Sequence, residues 1–189
     1  MKSFLLLATF LFLTACTPKL DWRSVQSPQE GYTTLFPGKP ERMERKLPYQ
    51  DEEILQTLEA VKIDDDIYSV SSIYLNQGQV TLLPKLLNQL QDNPLQRAGV
   101  DFSTAMSGDA SYQMADHQRR ATKDYFLEFR SGVVVQQSMR VRWITQLNQD
   151  KGAWIYQISV LHTAPTKVDA KKFFSEEQYA NFFDEFHPD

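Results

Sequence analysis

The sequence predicts an α+β fold, a twisted antiparallel sheet flanked by helices. Alternating segments rich in β-branched and aromatic residues recur across residues 31–160, separated by short turn signals. One leucine stripe at spacings of three and four stands mid-chain, and one aromatic stripe stands at the end. Strands in runs, with helices segregated between and after them, point to helices laid on an antiparallel sheet.

From the start, Met1-Lys2-Ser3 is a short cationic lead, and Phe4–Leu13 is apolar except for Thr9. Leu13-Thr14-Ala15-Cys16 closes the run with small residues and the single cysteine. A positive lead, a short apolar run and a small-residue exit describe a secretory signal peptide over residues 1–15. Ten helical residues span about 15 Å, roughly half a hydrocarbon core, so the run is a poor membrane span. Residues 16–30 (CTPKLDWRSVQSPQE) are polar and without period, and read as a tether, with Trp22 tacked onto the body.

Residues 31–189 then form one domain. Tyr32–Phe36 reads as a strand, Pro37-Gly38 as a turn and Glu41–Tyr49 as a charged, exposed strand. Ile54–Ile63 fits helix and strand about equally. The strand is chosen because Asp64-Asp65-Asp66 leads, as a hairpin turn, into the alternating Ile67–Leu75. Leu83, Leu86, Leu87 and Leu90 predict a helix near residues 82–91, with Pro84 in its first turn and Asn93-Pro94 at its end. Val100–Ala105 is taken as a strand and Ser107-Gly108-Asp109 as a loop.

Thr122–Arg130, Val133–Trp143 and Ala153–Val160 form an antiparallel meander, one side packed and the other at least partly wet. Ser175 with Gln178 is a capping box, Phe174 with Tyr179 a hydrophobic staple. Tyr179, Phe182, Phe183 and Phe186 supply the stripe that docks the last helix on the sheet.

Residues 16–189 number 174, enough for one domain with a real core and too few for two comfortable ones. They hold 19 basic and 24 acidic side chains, a balance that argues against a polyanion-binding surface. With Cys16 as the sole thiol, the domain has no internal disulfide, no thiolate metal site and no cysteine nucleophile.

The quartet Leu13–Cys16 resembles the lipobox of bacterial lipoproteins. That resemblance implies cleavage before Cys16, acylation of Cys16, and several acyl chains, the regime of stable attachment. Thr17, where an Asp would mark retention in the inner membrane, implies outer-membrane delivery in a Gram-negative envelope. Gly31, Phe36, Pro37, Gly38, Lys39 and Pro40, with Tyr156-Gln157 and Phe182-Phe183, resemble the opening and closing motifs of bacterial envelope proteins. The order of elements is similar to the PsbP/Mog1-like α/β/α sandwich. No catalytic residue transfers by that resemblance, because proteins of that fold serve as accessory and binding modules.

The residues themselves offer little chemistry. His117, His162 and His187 are scattered, with no HxH or HExxH spacing, and His187 is expected to fray. The aspartate triplet lacks the ligand spacing of a calcium loop and reads as a solvated turn. Ser107–Ser111 holds hydroxyls but no GxSxG elbow. Arg119-Arg120 with Lys123, and Arg140 with Arg142, are small basic islands and no phosphate-tracking stripe. Arg140 and Arg142 are expected on a solvated sheet face, neutralised by cross-strand partners such as Glu128, or turned toward anionic headgroups or a partner's acidic edge.

Trp143, Trp154, Tyr156, Tyr125 and Phe129 lie on neighbouring strands. They are core if they face the last helix, and a hydrophobic groove if they face away from it. Arg140, Arg142, Trp143, Trp154 and Tyr156 are therefore the candidate partner or ligand contacts, with no catalytic residue, metal or cofactor assigned. The expectation is a non-enzymatic, lipid-anchored accessory or structural protein of the cell envelope. It would hold the bilayer through Cys16, bind an envelope protein and take no nucleic acid. The alternative is a carrier of a small hydrophobic ligand or lipid in an apolar cavity.

Overall fold

The computed structural model describes residues 19–49 and 52–189. Cys16 and the export segment lie outside the described residues. The body is a mixed α+β fold in which a large antiparallel sheet is flanked by helices. Its strands are β1 (Arg23–Ser27), β2 (Tyr32–Phe36), β3 (Glu41–Tyr49), β4 (Glu52–Ile63) and β5 (Asp66–Leu75). They continue with β6 (Met106–Gln113), β7 (Arg119–Ser131), β8 (Val134–Leu147), β9 (Ala153–His162) and the short β10 (His187–Pro188). The helices are α1 (Leu83–Arg97), α2 (Ala170–Phe173) and α3 (Glu177–Asp184). The large sheet runs β3-β4-β5-β9-β8-β7-β6, and a small one runs β1-β2-β10.

Register fixes which side chains share a face. Ser71 opposes Gln157, Ser69 opposes Ser159, and Ile67 opposes Leu161, which places all six on the face under α1. Tyr68, Val70, Tyr156, Ile158 and Val160 point the other way, toward α2, α3 and the small sheet. Between them Phe174, Tyr179, Phe182, Phe183 and Phe186 are buried, so the predicted aromatic stripe does dock the end of the chain. On the opposite face Leu86 packs on Ile54, Ile73, Leu75 and Ile155, while Leu95 packs on Leu127, Phe129, Val141 and Trp143.

Several local expectations give way, each for a physical reason. Arg23–Ser27 is not tether but β1, antiparallel to β2, and Trp22 meets Tyr68 edge-on with ring centroids 6.5 Å apart. Only Val25 and Ser27 of that strand turn inward, so it carries no apolar alternation to read. Helix α1 does not stop at Asn93-Pro94. It runs through Pro94 to Arg97 because the last turn places Leu95 in the core, and Ala98 N donates to the Pro94 carbonyl.

Residues 100–105 form no strand. Asp101 accepts from the backbone N–H groups of Ser103 and Thr104, a local turn that competes with sheet pairing. Ser107-Gly108-Asp109, expected as a loop, lies within β6 and pairs with Tyr125, Asp124 and Lys123. Ser175 does not cap the last helix. Its hydroxyl donates to the Lys172 carbonyl, α3 begins one residue later at an N-cap Glu176 without a side-chain bond, and Asp169 caps α2. His187 is not frayed, since β10 pairs with β2 and its ring nitrogen meets the Gln113 carbonyl at 3.3 Å.

The partly wet side expected of the late meander is also revised. Strand β8 is buried from Ser138 to Ile144 except for half-buried Met139, because α2 and α3 cover one face and α1 the other.

Candidate functional site

The basic island on β8 is where the structure departs furthest from expectation. Arg142 is fully buried, and Arg140 and Asp124 are buried beside it. The guanidinium of Arg142 donates from Nε to Asp124 Oδ1 at 2.6 Å and from Nη2 to Oδ2 at 3.1 Å. Arg140 donates to the same Oδ2 from Nη2 at 2.6 Å and from Nε at 3.0 Å. One carboxylate thus bridges two guanidiniums, in the place the sequence reading gave to Glu128. That residue instead pairs with Arg130 and accepts from the Ala170 N–H.

The remaining donors reach helix ends, with Arg142 Nη1 also 3.4 Å from the Ser111 carbonyl of β6. Arg142 Nη1 donates to the Phe183 carbonyl at 2.7 Å, and Arg140 Nη1 to the Phe174 carbonyl at 3.3 Å. These carbonyls belong to the last turns of α3 and α2, where backbone acceptors lack intrahelical partners and a cation meets the negative end of the dipole. The Phe183 ring lies 4.1 Å from the Arg140 guanidinium carbon. This is a clasp fastening the two terminal helices to the sheet, and neither arginine is presented to a partner.

The aromatic candidates divide between the faces. Tyr156 is fully buried against Tyr32 and Phe186, and its hydroxyl lies 2.9 Å from the carbonyls of both Glu30 and Gly31. Gly31 sits at φ +64°, and a Cβ there would come within 3.2 Å of that hydroxyl, so the turn between β1 and β2 needs glycine. Trp143 is nearly buried under α1, with Nε1 donating to Gln157 Oε1 at 3.0 Å. Trp154 remains half exposed at the mouth of a cleft beside Tyr74, and Tyr125 is half-buried beside Trp143 on the α1 face.

The surface that suits a guest lies where α1 does not reach. Helix α1 packs through Leu86 on β4, β5 and β9 and through Leu95 on β7 and β8, and leaves one corner of β3, β4, β5, β9 and β8 open, a trough of about 520 Å³. Met43 and Leu58 wall one end, and Ile67, Met139 and Leu161 the other. The floor is polar and paired within itself. Arg45 Nε donates to Gln56 Oε1 at 2.5 Å, Gln56 Nε2 donates to Ser71 Oγ at 2.6 Å, and the Ser69 and Ser159 hydroxyls meet at 2.9 Å. Such a floor stands in water without orphaned groups, yet can exchange these bonds for bonds to a guest.

Sequence reasoning missed this corner. Ser69, Ser71, Gln157 and Ser159 read as ordinary polar positions of surface strands. The signal was there in the interruption of the apolar face by serine and glutamine at successive inward positions.

The aspartate triplet is only partly a solvated turn. Asp64 pairs with Lys19, while half-buried Asp66 meets His162 Nδ1 at 2.7 Å and accepts from the Tyr179 hydroxyl at 2.8 Å. Among the described residues no group of three or more His, Cys, Asp or Glu side chains is arranged to hold a metal ion. No protein-family model matches the chain, and no curated protein matches it significantly.

Proposed function

We propose that this chain is a lipid-anchored accessory protein of a bacterial cell envelope, attached through Cys16, and that it binds a partner polypeptide without transforming it. The observation that carries the binding half of this reading is the trough beside α1, with apolar ends and a hydrogen-bonding floor. A hydrocarbon chain laid there would strip water from the remaining donor and acceptor sites of Ser69, Ser71 and Ser159 and return no hydrogen bonds. An extended peptide supplies its own N–H and C=O groups to that floor and places apolar side chains at both ends.

The anchoring half rests on the resemblance of Leu13–Cys16 to a lipobox. It gains sense from Lys19, which already pairs with Asp64 on the body. Two residues separate Cys16 from Lys19, three steps of chain or about 10 Å at full extension, so an acylated chain would hold the body close to the bilayer. Closeness of that kind raises the effective concentration of an envelope partner and suits modest affinity. Outer-membrane placement follows the Thr17 reading alone.

Two measurements test the reading. Intact mass spectrometry of the membrane-extracted protein should find residues 1–15 removed and acyl chains on Cys16, and Cys16→Ser should release the body from membranes. A photoactivatable residue placed at Met43 or Leu58 should crosslink one envelope protein in intact cells. An unmodified Cys16 overturns the anchoring, and recovery of lipid alone from the trough replaces the partner reading with the carrier reading.

A further inference from the structure

On the opposite face from the trough, the β1–β2 turn overhangs the sheet and encloses a second cleft of about 600 Å³. We propose that this cleft is a binding site for an alkylammonium group, carried by a free amine or by a lysine side chain of a partner. Its acceptors are of three kinds. Carboxylates come from Glu30, Asp150 and Asp189, and no lysine, arginine or histidine lines the cleft among the described residues. Arg42 neutralises Glu30 from outside, which leaves Asp150 and Asp189 as uncompensated charge.

Aromatic faces come from Trp154 and Tyr74, whose ring centroids lie 4.9 Å apart at a tilt of 47°. A cation held against indole and phenol rings is attracted by their negative faces. Hydroxyls come from Thr57 and Ser72, which line the floor and are only 5% and 3% exposed.

The hydroxyls are what separate this cleft from an ordinary acidic surface. The buried charges on this face are paired: Glu59 accepts from Ser27 at 2.7 Å and from Tyr32 at 2.5 Å, and Asp124 holds both arginines, while the uncharged Thr34 Oγ1, Ser138 Oγ and Gln146 Oε1 are enclosed without a partner among the described residues. Thr57 and Ser72 make no side-chain hydrogen bond among the described residues, although they stand one above the other in paired positions of β4 and β5. Unlike the three enclosed atoms, these two adjacent hydroxyls open into one cleft, where a donor from outside can reach both. An ammonium group has three N–H donors and no acceptor. It matches two hydroxyls and a carboxylate, while its alkyl stem lies along Trp154 and the exposed Leu55.

The negative field is already visible on the neighbouring Tyr156. Its phenol is pushed well above the ordinary range, first by burial and then by the charges of Asp189 and Glu30. The architecture holds the site rigidly. The Tyr74 hydroxyl donates to Asp150, whose other oxygen accepts from the Gly152 N–H at 2.9 Å, and a Cβ at residue 152 would lie 2.2 Å from that hydroxyl.

The test is calorimetric titration of the full chain with N-acetyl-lysine-N-methylamide, with N-acetyl-norleucine-N-methylamide as the uncharged counterpart of similar shape. The lysine probe should bind about tenfold more tightly, should weaken as salt rises, and should shift the Trp154 indole N–H resonance. Ser72→Ala with Thr57→Val, and separately the exposed Asp150→Asn, should each reduce binding about tenfold while the circular dichroism spectrum stays that of the parent. Ethanolammonium run as a competitor separates the two sources. Tighter binding than the lysine probe names a free amine, and weaker binding names a side chain. Equal binding of lysine and norleucine probes, or binding untouched in both variants, overturns the proposal.

Discussion

Under α2 and α3 the large sheet buries two guanidiniums, a carboxylate and a cluster of aromatic rings, and every charge is fastened to a named acceptor. Under α1 the same strands carry serines and glutamines that bond to one another, to Arg45 at the rim and to the indole of Trp143, and a corner stays open. The first face depends on its partners, because an ion that loses its counterion inside a protein has nowhere to go. The second depends on nothing beyond itself and so can afford an empty corner. A closed face and an available face are made from the two sides of the same β5, β9 and β8.

The sharpest way to break that contrast is to remove the shared carboxylate. Asp124→Ala leaves buried Arg140 without a carboxylate and buried Arg142 with only the exposed Asp184 at 3.8 Å, and should cost about 3–5 kcal/mol, a large part of a typical domain's stability. Urea titration reads it directly. A loss under about 1 kcal/mol would mean that water reaches both guanidiniums and that the clasp is no different from a surface pair.

The clasp was invisible in the letters for a physical reason. Arg140 and Arg142 alternate with Val141 and Trp143, and that pattern is what a half-wet strand presents. Only a second layer can turn polar positions inward, and whether one lies there is decided by segments 40 residues downstream. By contrast the leucines of α1 and the rings of Tyr179, Phe182, Phe183 and Phe186 could be read at once, because apolar periodicity is local. Helix ends were less legible. Ser175 followed by Gln178 has the spacing of a cap, but the chain uses that serine to close the turn after α2. The trough belongs to the same class as the clasp, since the corner that α1 leaves bare follows from packing Leu86 and Leu95 on different strand sets.

The closed face also carries the larger titratable signature, since on the α1 face burial raises only the half-buried Tyr125 among the described residues. Tyr32, Tyr68, Tyr156 and Tyr179 are buried there, and in each case burial is the leading cause that pushes the phenol above its ordinary value of 10.0. The unfolded chain ionises near that value while the folded chain keeps its protons, so above it the unfolded state binds fewer protons. Stability is therefore complete below about pH 10 and falls as pH rises beyond it, with each tyrosine contributing about 1.4 kcal/mol per pH unit. Thermal unfolding measured between pH 8 and pH 11.5 should be flat and then steepen. Tyr68→Phe, which removes a hydroxyl without a side-chain hydrogen bond among the described residues, should lessen that slope by one tyrosine's share.

The smallest effect on stability should come from the open face, and it bears most closely on function. Gln56→Leu together with Ser71→Ala removes both partners of one hydrogen bond, so neither is orphaned, and urea titration should register less than about 1 kcal/mol. Arg45 loses only a partner at the rim, where it can turn to water. The same double change makes the floor more apolar while roughly keeping the trough's dimensions. A guest that uses the floor for its backbone hydrogen bonds should crosslink less from Met43 and Leu58, and a hydrocarbon guest should crosslink more, because the cost of covering polar groups has gone. The sign of that change therefore distinguishes a polypeptide from a lipid in the trough, independently of how stable the variant is.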